Sequence, residues 1–92
     1  MTHSIAYELA PEISVSMHEY GAVFFHLGDG RLFAVNQTGA RIWRALEQRQ
    51  PAERIAEALC QEYRIPVDKA QTHTATFIAR LEAHRLIARR AA

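Results

Sequence analysis

A single cysteine, Cys60, is all that this 92-residue chain carries. No disulfide within the chain is therefore expected, and a reducing, cytoplasmic setting fits that usage. Long apolar runs are missing as well: nothing approaches the ~18 consecutive residues of a membrane span, so no membrane contact is expected. Polar His3, Ser4 and Glu8 stand where a secretory signal would be apolar, and no signal peptide is expected either. Charge of one sign is also scarce, with a formal net charge of +1, which gives no strong pull towards nucleic acid. Five histidines invite a metal reading, but the chain has neither an HExxH helix nor the paired cysteines of a zinc module. His73 and His84 are too far apart on one helix to chelate together. No base or orienting group can be named beside Cys60, whose plain reading is a buried, inert thiol. Neither an enzyme nor a cofactor is expected.

The chain does have enough apolar residues, 49% of the total, to build the core of one domain. Its first half alternates. Ile13, Val15 and Met17 fall on one side of a strand, with Ser14, Ser16 and His18 on the other. Tyr20-Gly21 breaks this strand, and Ala22 to Leu27 follows as a second, more buried one. Gly28-Asp29-Gly30 signals a hairpin, being too short for a phosphate loop and having no helix directly after it. Arg31 to Val35 is then a third strand, antiparallel to the second.

The second half has helical spacing. Thr38 or Asn36 can cap a first helix whose buried stripe is Ile42, Trp43 and Leu46. Pro51 suits the first turn of a second helix, which turns Ile55, Ala56, Leu59 and Cys60 inward and carries Tyr63 near its end. Ile65-Pro66 stops it. Asp68 with Gln71 has the form of a capping box, opening a third helix with Ala70, Thr74, Phe77, Ile78 and Leu81 on one face. The expected fold is α+β and winged-helix-like: a three-stranded antiparallel N-terminal sheet followed by three helices. Residues 1–12 are expected to be a flexible N-terminal segment, 13–88 the domain, and 89–92 a basic tail.

Two features suggest binding. Of the third strand's five residues only Arg31 is charged, while Leu32, Phe33 and Val35 are apolar and Ala34 is small. Natural sheet edges are usually guarded by charge, proline or bulges; an unguarded one can accept a peptide as an added strand. The plain alternative is that a loop, the N-terminal segment or a second subunit covers it. On the third helix, His73, Thr76, Arg80 and His84 form a mildly basic flank, whose plain reading is a solvated face.

These same stretches, "GRLFAVNQTGARIWRAL", "AERIAEALCQEYRI" and "FIARLEAHRLI", resemble the PqqD family of peptide chaperones, also called RiPP recognition elements. The resemblance runs from about residue 13 to residue 87. It is most specific at Asn36, Thr38-Gly39-Ala40, Ile42-Trp43 and Leu46. It implies a non-catalytic domain that binds the leader segment of a ribosomally made precursor peptide. The domain then presents the core segment to a modifying enzyme, often a radical-SAM protein. It also implies strand addition to the third strand, with the leader resting beside the third helix. The expected peptide-binding residues are therefore Arg31, Leu32, Phe33, Ala34, Val35, His73, Thr76 and Arg80, with Arg80, together with His73 or His84, meeting a carboxylate of the leader. A proline at Phe33 is expected to abolish binding. Two departures stand out: Arg85 replaces a glycine common before the final Leu-Ile pair, so the last helix is expected to end less sharply. Gln50-Pro51 replaces a Ser or Thr cap.

The alternative is a winged-helix DNA-binding protein. Against it, the second helix sets Glu53, Glu57 and Glu62 against Arg54 and Arg64, and basic residues cluster only at the chain's end. A homodimer, swapped about Tyr20-Gly21 or Ile65-Pro66, is compatible with the exposed edge.

Overall fold

The computed structural model describes residues 6–90. The elements are β1 (Ala6–Leu9), β2 (Ile13–His18), β3 (Gly21–His26), β4 (Leu32–Asn36), α1 (Gln37–Glu47), α2 (Ala52–Tyr63), α3 (Val67–Ala83) and β5 (Ile87–Arg90). β2, β3 and β4 form an antiparallel meander in that order, and three helices follow, as the periodicity predicts. The third strand starts at Leu32, one residue later than the sequence suggests, because Arg31 belongs to the turn.

The core lies between the inner face of this sheet and the helices. Phe24 and Trp43, both essentially fully buried, meet with ring centroids 4.6 Å apart and planes inclined at 41°. Ile42, Leu46, Ile55 and Leu59 close around them, and Ala70, Thr74, Phe77, Ile78 and Leu81 are the buried residues of α3. A glycine is required at position 21. Its φ is +150°, and a Cβ there would stand 1.9 Å from the Val35 carbonyl oxygen, so the chain can turn into β3 beside β4 only without a side chain.

The chain ends were expected to stand apart from the domain, and they meet instead. β1 pairs with β5 antiparallel, with Tyr7 opposite Arg89 and Leu9 opposite Ile87. The Ala10 amide extends the ladder to the Leu86 carbonyl at 2.9 Å. Ile87 is buried, and Tyr7 and Leu9 pack against the core, so burial drives the pairing. Arg89 is tied back to Glu82 of α3 at 3.3 Å. Residues 1–5 and 91–92, the rest of the expected segment and tail, lie outside the described residues.

The helix ends differ in detail from the sequence reading. Asn36, rather than Thr38, caps α1: its Oδ1 accepts the Gly39 amide at 2.9 Å. Pro51 is the cap of α2 and not its first residue, and its carbonyl accepts the Arg54 and Ile55 amides. No capping box forms at α3. Pro66 takes the cap position and its carbonyl accepts the Ala70 amide at 3.0 Å. Asp68 is thereby left inside the first turn, where a carboxylate still favours the helix dipole.

The last helix ends sharply, contrary to expectation. Arg85 adopts the left-handed conformation, φ +61°. Its amide donates to the Glu82 carbonyl at 3.0 Å, and that of Leu86 donates to Leu81 at 2.9 Å. This pair of bonds is the closure normally made around glycine. Here buried Leu81 and Leu86 hold it on a residue that prefers another conformation. Arg49 after α1 and Arg64 after α2 are left-handed too, at φ 62° and 53°.

Candidate functional site

β4 stands at the end of the strand order β2-β3-β4, so one of its two edges has no strand beside it among the described residues. Which backbone groups face that edge follows from the ladder. The His26 amide donates to the Arg31 carbonyl at 2.9 Å, and the register sets Phe24 opposite Phe33 and Ala22 opposite Val35. Bonded pairs alternate along an antiparallel ladder. Phe33 and Val35 therefore spend their N–H and C=O groups on β3. Leu32 and Ala34 aim theirs outward. Of the stretch Arg31 to Val35, expected from the sequence to be the peptide edge, the pleat thus leaves only Leu32 and Ala34 with outward N–H and C=O groups. The same alternation turns the Phe33 and Val35 side chains towards the core and leaves those of Leu32 and Ala34 exposed.

α3 runs beside this edge. At one end the His84 ring rests on Phe33, centroids 4.6 Å apart. The Arg31 guanidinium lies 5.1 Å from the centre of the same Phe33 ring, a cation–π contact worth about 0.5–1 kcal/mol at an exposed site. Arg31 also donates to the His84 carbonyl at 3.2 Å and to Asp29 through Nε at 2.7 Å. Arg31 is thus less an edge residue than a clasp from the hairpin turn to the end of α3. The carboxyl of Asp29 sits below its usual range. Desolvation acts to raise it, and is outweighed by the hydrogen bonds from the Arg31 amide and guanidinium, the Arg31 charge and His26.

At the other end α3 leaves a groove. Gly39 lets it come close: a Cβ at that position would stand 2.8 Å from the Phe77 ring and 3.1 Å from Val35 Cβ. The groove, of about 350 Å³, is lined by Asn36, Thr38, Gly39 and Ile42 on one side and by His73, Thr76, Phe77 and Arg80 on the other, with Tyr63 and Ile65 at its end. His73, Thr76 and Arg80, the three helix residues picked out from the sequence, come together here. Arg80 makes no ion pair among the described residues, whereas Arg31, Arg41 and Arg89 each do. An apolar floor under an unpaired guanidinium suits an apolar side chain with a carboxylate close by.

Sequence reading missed Tyr63 and Ile65, which it assigned to the end of α2 and its stop signal. Tyr63 is 42% exposed, and nothing local distinguishes such a tyrosine from a core one. It also missed the packing role of Gly39, although that residue lies within the most distinctive motif. Among the described residues no group of three His, Cys, Asp or Glu side chains is arranged to hold a metal ion. No helix among them is long and apolar enough to cross a membrane.

Comparison with known proteins agrees with this geometry. Residues 21–87, from β3 to the first residue of β5, match the family model described as coenzyme PQQ synthesis protein D (PqqD). No curated protein matches. Among solved structures, the chain is similar to lasso peptide synthetase B1 complexed with the leader peptide. The TM-score is 0.82 at 27% identity, over 89% of this chain and 96% of that one. It is also similar to TbiB1 in complex with the TbiA(beta) leader peptide, with TM-score 0.80 and 25% identity over 87% of this chain and 93% of that one.

Proposed function

We propose, from the premise that this chain belongs to the PqqD family, that it is a RiPP recognition element that binds the leader segment of a ribosomally made precursor peptide. The observation that carries this reading is an unpaired, apolar sheet edge at Leu32 and Ala34 beside the α3 groove, in a fold whose solved relatives hold leader peptides. The leader adds as a strand to β4 and pairs with the outward N–H and C=O groups of those two residues. Its side chains alternate, and one set enters the groove over Phe77 and Ile42. Arg80, with His73 and Thr76 at hand, meets a carboxylate of the leader at the rim. Arg31 holds the far end closed through His84 and Phe33.

The domain contributes binding and presentation, and catalysis belongs to a separate modifying enzyme, which the family resemblance suggests is of the radical-SAM type. A leader peptide is favoured over duplex DNA, because a near-neutral chain gives little of the phosphate attraction that DNA binding needs.

The test is a titration of the chain with synthetic peptides that span the short reading frames encoded beside it, followed by fluorescence anisotropy. One leader should bind saturably and compete with its own unlabelled form. Binding of duplex DNA at low salt with no response to any such peptide would overturn the reading.

A further inference from the structure

β2 stands at the other end of the order β2-β3-β4, so the sheet has a second edge with no strand beside it among the described residues. The ladder again decides which groups face it. The Leu27 amide donates to the Glu12 carbonyl at 2.8 Å, and the register sets Ser14 opposite Phe25 and Ser16 opposite Val23. Ser14 and Ser16 therefore spend their backbone groups on β3, and Ile13, Val15 and Met17 aim theirs outward. Nothing in the sequence guards this edge: residues 13–18 contain no proline, lysine, arginine, aspartate or glutamate. Its inner face is only partly covered. Ile13 and Val15 pack against the core, whereas Met17, on the same face, is 42% exposed.

We infer that β2 is a homodimer edge, where a second copy of the chain adds its own β2, antiparallel, about a two-fold axis at Val15. The register identifies the occupant. Pairing Val15 with itself sets Ile13 opposite Met17 of the second copy, so the outward N–H and C=O groups of both meet in about six hydrogen bonds. The apolar side chains then share the inner face, and each Met17 gains an Ile13 beside it. On the outer face Ser14 meets Ser16, and Glu12 meets His18, a complementary pair once the imidazole is protonated. The His18 ring uses Nε2 on Ser16 Oγ of its own strand at 3.1 Å, which leaves Nδ1 for that carboxylate. Other registers fail. A slide of one residue turns one copy's apolar face outward. A slide of two residues sets Ile13 opposite Glu19 in one direction, and in the other sets Met17 opposite Pro11, which has no N–H to give. β2 is thus its own complement. The β4 edge differs, because α3 alongside it leaves a groove suited to one extended peptide rather than to a domain. In the dimer the two β4 edges lie at opposite ends of one continuous sheet, roughly 24 Å apart by strand spacing. Both stay open, so one dimer can hold two leaders. The inference does not rest on the peptide-binding reading.

The test is sedimentation velocity of the full chain at concentrations up to about 1 mM, because so small an interface belongs to the transient class. The wild type should show a concentration-dependent monomer–dimer equilibrium. Met17→Pro removes an amide that faces the open edge and not β3. It should melt near the wild type, bind leader within about twofold of it, and stay monomeric. Met17→Lys should give the same loss if the proline disturbs folding. His18→Glu sets like charges opposite Glu12 and should weaken the dimer about tenfold, and adding Glu12→Lys should restore it. Failure of that rescue would overturn the register. A wild type that stays monomeric would overturn the inference, as would a dimer that survives the Met17 variants, which one swapped about Tyr20-Gly21 would do. So would a dimer that the leader dissolves, because the shared edge would then be β4. Dimerisation without any leader binding supports the inference and defeats the peptide-binding reading alone.

Discussion

Proline placed at two adjacent positions of β4 should have opposite consequences. The Ala34 amide faces the open edge, whereas the Phe33 amide faces β3. Proline is tolerated on an edge strand where its missing N–H would have faced solvent, so Ala34→Pro removes no ladder bond. It does remove a donor from the docking edge. A leader carbonyl that would have accepted that N–H is left facing the pyrrolidine ring. The lost bond is worth about 1 kcal/mol, and a stranded acceptor costs about 1–3 kcal/mol more. A total of about 2–4 kcal/mol corresponds to a roughly 30–700-fold rise in Kd. Phe33→Pro instead breaks the bond to Phe24 in a ladder next to the core and strands its acceptor there, a loss of about 2–4 kcal/mol against a typical domain stability of about 5–15 kcal/mol. Circular dichroism melts and anisotropy titrations of the two variants measure both effects. Ala34→Pro should melt close to wild type yet bind weakly, and Phe33→Pro should melt far lower. An Ala34→Pro domain that is folded and binds the leader with wild-type affinity would refute strand addition. A collapsed Ala34→Pro beside a stable Phe33→Pro would refute the assigned direction of the ladder.

Other substitutions probe other parts of the account. Arg85→Gly should stabilise the chain by about 1 kcal/mol, because the left-handed turn after α3 no longer strains a side chain; thermal melts should then rise by about 4–8 °C, and an unchanged or lower Tm would contradict the geometry. Gly39→Ala must move Phe77 or Val35 to make room and should cost about 1–3 kcal/mol, read from urea midpoints. Arg80→Ala should weaken leader binding by about two- to fivefold, the effect of an exposed ion pair of about 0.5–1 kcal/mol, and the difference should shrink with added salt. A complete loss of binding would mean that Arg80 is fully desolvated in the complex.

Much of this was legible in the sequence, for reasons that can be named. The stripe on α3, Ala70 to Leu81, and the hairpin at Gly28-Asp29-Gly30 are local patterns, set by periodicity and turn chemistry. The β1–β5 ladder was not legible. It joins Ala6–Leu9 to Ile87–Arg90 across nearly the whole chain, and four-residue strands containing Glu8, Arg89 and Arg90 carry no readable alternation. The helix ends at Arg49, Arg64 and Arg85 were hidden because the signal for a left-handed closure is glycine, and tertiary burial overrides it here. That His73, Thr76 and Arg80 line one groove was legible because they share one flank of one helix. Tyr63 and Ile65 reach the groove only through the way α2 ends beside α3, which no local pattern records. The choice between Phe33 and Ala34 as edge donors depends on register, and register becomes visible only once Phe24 is seen opposite Phe33.

Amide hydrogen exchange along β4, with and without saturating leader, tests the central claim most directly. In the free domain the amides of Phe33 and Val35 should already be slow, held by β3, and those of Leu32 and Ala34 fast. Leader binding should slow Leu32 and Ala34 and leave the other two nearly unchanged, an alternation that only a strand paired at this edge produces. Fast exchange persisting at both Leu32 and Ala34 under saturating leader would contradict the account.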